Sequence, residues 1–495
     1  MKFGLFLLAF LTSAIFVNGQ NTFAETELEY KKPFFKQDMP YVISLGEDNE
    51  SIALLQDKKS AHLVRYDKYM FEKWRMTIAF DKREAPQQLL LKGDTAIVLT
   101  YNLNDKSKTV TLGMDMFRIS DGMEIYSEDR LLVEGFKKND KLPGLRFSED
   151  KNHFIFYNYI ANNDPEKVAM ALYKLNEPEP IKVTYLDALY FDKNRSVELY
   201  LRNNMDYVLV SVDMPNFKAD YLYYQQSNGE FKKAEDVFSF KRPIEKAPDI
   251  KINPIDSSAF YISYSGVIET ELAGYHVAAF EGSRGHVIFS ESVNVEKEFI
   301  RELYTDYAVT SVKPKKKRLK TPDALEFSRL VESYVNNDKE LVLVFEELET
   351  PVYFHRGFLD EPMERKSKKS EEQHYMGGDI VVFAHGKSGQ TLWHKVIQKY
   401  QKGKNRPHAL SFVPYFDGKI LSLLTWETSN KGSFYISRIN TLTGEFGDKT
   451  KLLGSKMYDF TKSYSAWLNE DNIYVATVKV NNSGKRTIYL IELNQ

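Results

Sequence analysis

No cysteine occurs anywhere in the chain. That single absence removes disulfide staples, thiolate zinc sites, a cysteine nucleophile and a lipid-modified N-terminal cysteine. A large excess of either charge is missing too. The net charge is −2 at pH 7, which excludes a globally basic nucleic-acid binder but leaves room for local patches. Beyond the N-terminus no apolar run reaches the length of a membrane-spanning helix. Catalytic signatures are equally scarce. None of the nine histidines forms a His-Glu-x-x-His pair, and no Gly-x-Ser-x-Gly elbow appears.

What is present begins with Met1-Lys2 and an apolar stretch over residues 3–17, closed by Val17-Asn-Gly19. A short apolar core with a small-residue exit predicts a secretory signal peptide over 1–19, with cleavage after Ala24 as the alternative. The expected mature chain is one domain over 20–495, exported to the periplasm or the outside of a bacterium. A cysteine-free secreted chain of this size points to a bacterial envelope.

The strongest signal is repetition. A short apolar stretch, a tight acidic turn and a longer Val/Ile/Leu/Tyr/Phe run recur eight times, with Ile52, Ala96, Phe154, Tyr207, Ala259, Leu341, Ile420 and Ile473 in equivalent places. Leu145-Arg-Phe, Val197-Glu-Leu and Ile250-Lys-Ile are three of the short stretches. A period of about 50 residues means stacked β-units, typically propeller blades. Two longer steps each hold one unit plus an insertion, at 298–321 and 352–377. With 31 Tyr and 33 Phe the composition suits sheets, and no 3.6-residue apolar period competes. The predicted fold is therefore an all-β propeller of four-stranded antiparallel blades, eight in number, with seven as the runner-up. The segment 25–36 supplies the missing strand of the last blade and closes the ring.

Strand alternation then assigns faces. If each inner strand starts at the top, both insertions emerge on top, where long loops on a rigid scaffold usually carry binding. The first insertion adds Lys313, Lys315, Lys316, Lys317, Arg318 and Lys320 with no acid among them, and a later upper connection adds Lys402, Lys404 and Arg406. Other upper connections carry Arg195, Lys241 and Lys399, while the lower turns carry Glu50, Asp94, Asp150, Asp206, Asp256, Asp417 and Asp471. The bland reading is that Asp fills hairpin turns and Lys solvates loops. The functional reading is a basic upper face that attracts an anionic partner. The leader argues against nucleic acid as that partner.

His355, His374, His385 and His394 fall in or beside the second insertion, yet without ligand spacing they are weak evidence for a metal or acid–base site. Trp426 and Trp467 read as blade packing.

Residues 382–393, Val-Phe-Ala-His-Gly-Lys-Ser-Gly-Gln-Thr-Leu-Trp, resemble the tryptophan-docking motif of quinoprotein-type propellers, with Gly389 four residues before Trp393. Residues 66–74, ending at Trp74, are a looser copy. The resemblance implies blades joined by a tryptophan packed against the next blade. It does not imply the dehydrogenase chemistry, since the vicinal cysteine pair of those enzymes is impossible here. Two functions remain open. One is a monomeric, non-catalytic propeller that binds an envelope glycan or protein through its basic upper face, without cofactor, metal or membrane span. The other is a hydrolase or lyase acting on a polysaccharide or peptide at the channel mouth.

Overall fold

The structure is a computed structural model that describes residues 22–29, 42–46, 48–56, 60–69, 71–79, 84–104, 109–134, 144–158, 166–192, 194–213, 216–241, 248–304, 324–349, 374–404, 411–427, 433–447, 449–454, 458–460, 465–479 and 485–492. The expected leader, the second insertion up to 373 and the basic run 313–320 lie outside them.

The protein is a β-propeller. Seven contiguous stretches each fold into an antiparallel meander of four strands. Blade one is Val42–Ser44, Ser51–Gln56, Ser60–Tyr66 and Glu72–Ala79. Blade four, the most regular, is Arg195–Leu201, Tyr207–Asp213, Lys218–Gln225 and Glu230–Val237. Within each blade the strands are hydrogen-bonded in chain order, so each turn can be short. Every one of the eight repeat markers falls on the first or second residue of its blade's second strand, from Ile52 to Ile473.

The expectation of eight blades is corrected to the runner-up count of seven, since seven regular four-stranded blades form. The eighth repeat builds a composite sheet instead, because its innermost strand is only Ala466–Trp467 and a further strand, Tyr458–Phe460, joins the same neighbour, Asn472–Lys479. Its outer strand comes from the other end of the chain. Thr22–Glu29 pairs antiparallel with Lys485–Glu492, Glu25 opposite Tyr489. That strand starts before the predicted 25–36. Ala466–Trp467 lies against the inner strands of both blade one and blade seven. Ser44 Oγ donates to the Leu468 carbonyl at 3.0 Å, and Asn469 Nδ2 donates to Asn49 Oδ1 at 2.7 Å. The two chain ends thus meet in one sheet that closes the ring at the seam.

The continuous apolar runs have a packing reason. A second strand is covered on both faces, so alternate residues serve opposite neighbours. Leu341, Leu343 and Phe345 enter the core between blades five and six, while Val342 and Val344 enter the one between six and seven. Likewise Val208 and Val210 face blade five, and Leu209 faces blade three. Outer strands alternate buried with exposed, as in Pro180–Asp187, where Ile181, Val183 and Tyr185 are exposed.

The tryptophan resemblance is realised as geometry. Trp74, on the outer strand of blade one, lies on Gly122 in the last turn of blade two, and its Nε1 donates to the Ile119 carbonyl at 2.8 Å. Trp393 lies in the same way on Gly444 of blade seven. Both glycines sit at positive φ, +76° and +70°, and a Cβ there would meet the indole at 2.7–2.9 Å. Glycine satisfies backbone and packing at once.

Candidate functional site

Two places on this scaffold gather chemistry. The first is the upper rim of blade six, where both insertions are rooted. A short helix, Lys297–Leu303, follows blade five and buries Ile300 and Leu303 against the core shared with blade six. Its last turn ends at Tyr304, whose hydroxyl donates to Asp379 Oδ2 at 3.1 Å. Asp379 belongs to the strand His374–His385, by which the chain returns from the second insertion. Its other carboxylate oxygen accepts the Lys399 backbone N–H at 3.2 Å. One carboxylate therefore ties the exit of the first insertion, the return of the second and the end of blade six's outer strand.

Above that point blade six grows taller. Gln401–Lys404 forms an extra strand that pairs with the first residues of His374–His385, Lys402 opposite Met376 and Lys404 opposite His374. The predicted second insertion therefore ends earlier than 377, because residues 374–377 are already sheet. Arg406, Lys313, Lys315, Lys316, Lys317, Arg318 and Lys320 lie outside the described residues.

Beneath the rim is a buried polar node. Lys399 and Glu346 are both wholly buried and paired through Nζ and Oε1. Ser411 Oγ donates to Glu346 Oε2 at 2.5 Å. The Gln401 side chain bridges them, its carbonyl accepting from Lys399 Nζ at 3.0 Å and from the Ser411 N–H at 2.8 Å. A Cβ on Gly377 would stand 2.6 Å from Gln401 Oε1, so the strand passes directly over the node.

The charge map read from sequence needs correcting here. Lys399 and Arg195 were counted as upper basic loop charge, yet both are buried. Arg195 lies among Ser211, Asp213 and Asp220. Lys241 is exposed and paired with Glu296 at 3.0 Å. Several lower acids serve backbone needs. Asp256 accepts the N–H groups of Ser258 and Ala259, and Asp417 those of Lys419 and Ile420. Hydrogen bonds from the Ser258 N–H hold the Asp256 carboxyl below its ordinary range. Turn chemistry explains these acids without any partner.

Among the described residues the histidines do not converge. His374 and His385 stand at opposite ends of one strand, and His276 belongs to blade five. His385 is buried, and Gly389 O lies 3.0 Å from its Nδ1. Burial pushes its pKa down to about 4, with the Gly389 carbonyl opposing. A base whose pKa falls on folding stabilises the native state only while neutral. Acidification from pH 6.5 toward 4 should therefore cost roughly 3 kcal/mol. Urea unfolding at pH 7 and pH 4.5 checks this. His385→Gln should shrink the difference between the two midpoints, and an unchanged difference would refute the assignment.

His276 has the look of a catalytic histidine and a different job. Its Nε2 lies 2.8 Å from Asp236 Oδ2 and its Nδ1 2.9 Å from Ser292 Oγ. The ring is wholly buried, stacked on Tyr264 with centroids 4.8 Å apart. Asp236 comes from blade four and the other two from blade five, so the group clamps two blades together.

The second place is the channel wall. The inner strands of blades three, four and five border an open cavity of about 400 Å³ lined by Arg146, Phe147, Glu198, Tyr200 and Lys251, among others. Arg146 grips Glu198 with two parallel bonds, Nε–Oε1 2.8 Å and Nη2–Oε2 3.0 Å. Sequence reading missed these residues, although the signal was there. Each charged group is the polar member of an apolar triplet opening its repeat, so superposing the copies would have stacked them on one wall.

No family model and no curated protein matches this chain. Solved structures match at the level of architecture. Sqt1 of Saccharomyces cerevisiae covers 96% of this chain and 100% of its own at 10% identity, with a TM-score of 0.48. The Dos1 propeller covers 92% and 95% at 7% identity and 0.42. A prolyl endopeptidase matches 90% of this chain at 10% identity and 0.42, and this chain spans 55% of its length. The class of the protein, a β-propeller, rests on its own blade topology. The quinoprotein resemblance gains no support from the comparisons.

Proposed function

We propose that this protein is an exported, non-catalytic propeller that binds an anionic envelope glycan or protein through the upper rim of blade six. The observation that carries the reading is the convergence at Asp379. The insertion that contains residues 313–320, the return of the other insertion and the strand bearing Lys402 and Lys404 all meet within hydrogen-bonding distance of one carboxylate or one strand beyond it. A buried node beneath the point where both insertions leave the blade suits a binding face. Attraction to an anion falls with salt, since screening acts beyond about 10 Å at ordinary ionic strength.

The test is a quadruple change of Lys315, Lys316, Lys317 and Arg318 to Ser. The variant should melt like the parent and elute from an anionic glycan column at clearly lower salt. Equal retention would sink the reading.

A further inference from the structure

We propose that the channel cavity of blades three to five is a binding site for a carboxylated saccharide, with Lys251 as the cation that receives the carboxylate. The inference rests on the anionic-glycan reading and names the unit of that partner which enters the channel.

Four observations carry it. The cavity, about 400 Å³, falls within the range of small-ligand sites, roughly 300–1,000 Å³. The three charges on its wall differ in how they are engaged. Arg146 is committed to Glu198 by the paired bonds described above. Among the described residues Lys251 has no hydrogen-bond or ion-pair partner, yet it is half-buried. A half-buried lysine with no ion-pair partner among the described residues is available to an anion.

Glu198 narrows which anion. A carboxylate held by Arg146 still has lone pairs free to accept hydroxyl hydrogens. Its charge on the same wall disfavours a dianion such as phosphate more than a monoanion. A ligand with one carboxylate and several hydroxyls satisfies both groups.

The aromatic residues supply the apolar surface. Phe147 is backed by Phe154, with centroids 5.5 Å apart, and Tyr200 by Phe260 at 5.9 Å. Tyr200 is further fixed by its hydroxyl bond to Glu149. Rings held this way present flat surface at little entropic cost, which suits the C–H face of a sugar ring better than a flexible peptide.

The experiment is calorimetric titration of the full chain with an aldobiouronate, a disaccharide with a single uronate carboxylate. Its methyl ester, inorganic phosphate and a tripeptide with a free C-terminus are titrated in parallel. The acid should bind saturably and the ester at least about tenfold more weakly, the usual worth of a charge-assisted bond. Lys251→Met should lose the same factor with unchanged melting, and Lys251→Arg should recover part of it. The quadruple rim variant should bind the aldobiouronate like the parent while losing column retention. No saturable binding by the parent, binding unaffected by Lys251→Met, or equal Lys251-dependent binding of phosphate or tripeptide would each overturn the proposal. Column retention without disaccharide binding would overturn this proposal alone. Disaccharide binding without retention would overturn only the rim reading.

Discussion

Changing Lys399 to Met should destabilise the protein by about 3–5 kcal/mol, the usual cost of removing one partner from a buried ion pair. Lys399 and Glu346 are both wholly buried, so neither charge has water to fall back on. Without the ammonium, the Glu346 carboxylate keeps, among the described residues, only the Ser411 hydroxyl, and the Gln401 carbonyl loses a donor. The change reaches the rim because the Lys399 backbone is bound to Asp379. The double variant Lys399→Met with Glu346→Leu removes both charges and should recover much of the loss, since a buried pair replaced by apolar groups is often near neutral. Thermal or urea unfolding of the two variants is the check. Similar losses in both would mean that the node acts through packing rather than charge.

How much of this was legible beforehand divides along a physical line. The second strands were legible because burial on both faces writes a continuous apolar run, and each run starts at a turn. All eight markers therefore fell on the first or second residue of the same strand. The pairing of the chain ends was legible from the strand missing at the last repeat, though the boundaries shifted. The composite form of that last sheet was not, because Tyr458–Phe460 and Ala466–Trp467 are too short to leave a pattern.

Charges were the least legible feature. Lys399 follows an outer strand just as a solvated loop lysine would, and only the arrival of Glu346 from 53 residues away makes it a core residue. His385 and His374 looked like neighbours because they flank one strand's span, and extended backbone then separated them. Arg146 and Glu198, 52 residues apart, illustrate the opposite case. Distance in sequence equal to one repeat means adjacency in space, a rule available from the copies alone.

Asp236→Ala should rank with the Lys399 change, at about 3 kcal/mol or more. The Asp236 carboxylate is buried and accepts from Tyr221 at 2.8 Å and Ser290 at 2.7 Å, with His276 Nε2 at 2.8 Å. Removing it leaves a buried phenol and a buried imidazole without that acceptor. Burial by itself would raise the carboxyl pKa, and the bonds from His276, Ser290 and Tyr221 outweigh it, holding the group below its ordinary 3.8. An acid depressed in this way contributes its stability above pH 3.8 and loses it as pH falls through the folded value. The parent should therefore weaken further below pH 3.8, whereas Asp236→Asn, which keeps the shape but not the charge, should lack that acid step. Unfolding midpoints of parent and both variants between pH 7 and pH 3 test the claim. A parent curve that is flat below pH 3.8 would show that blades four and five are held by their aromatic core, with Phe238, Tyr264 and Phe260 bearing the load that this account gives to Asp236.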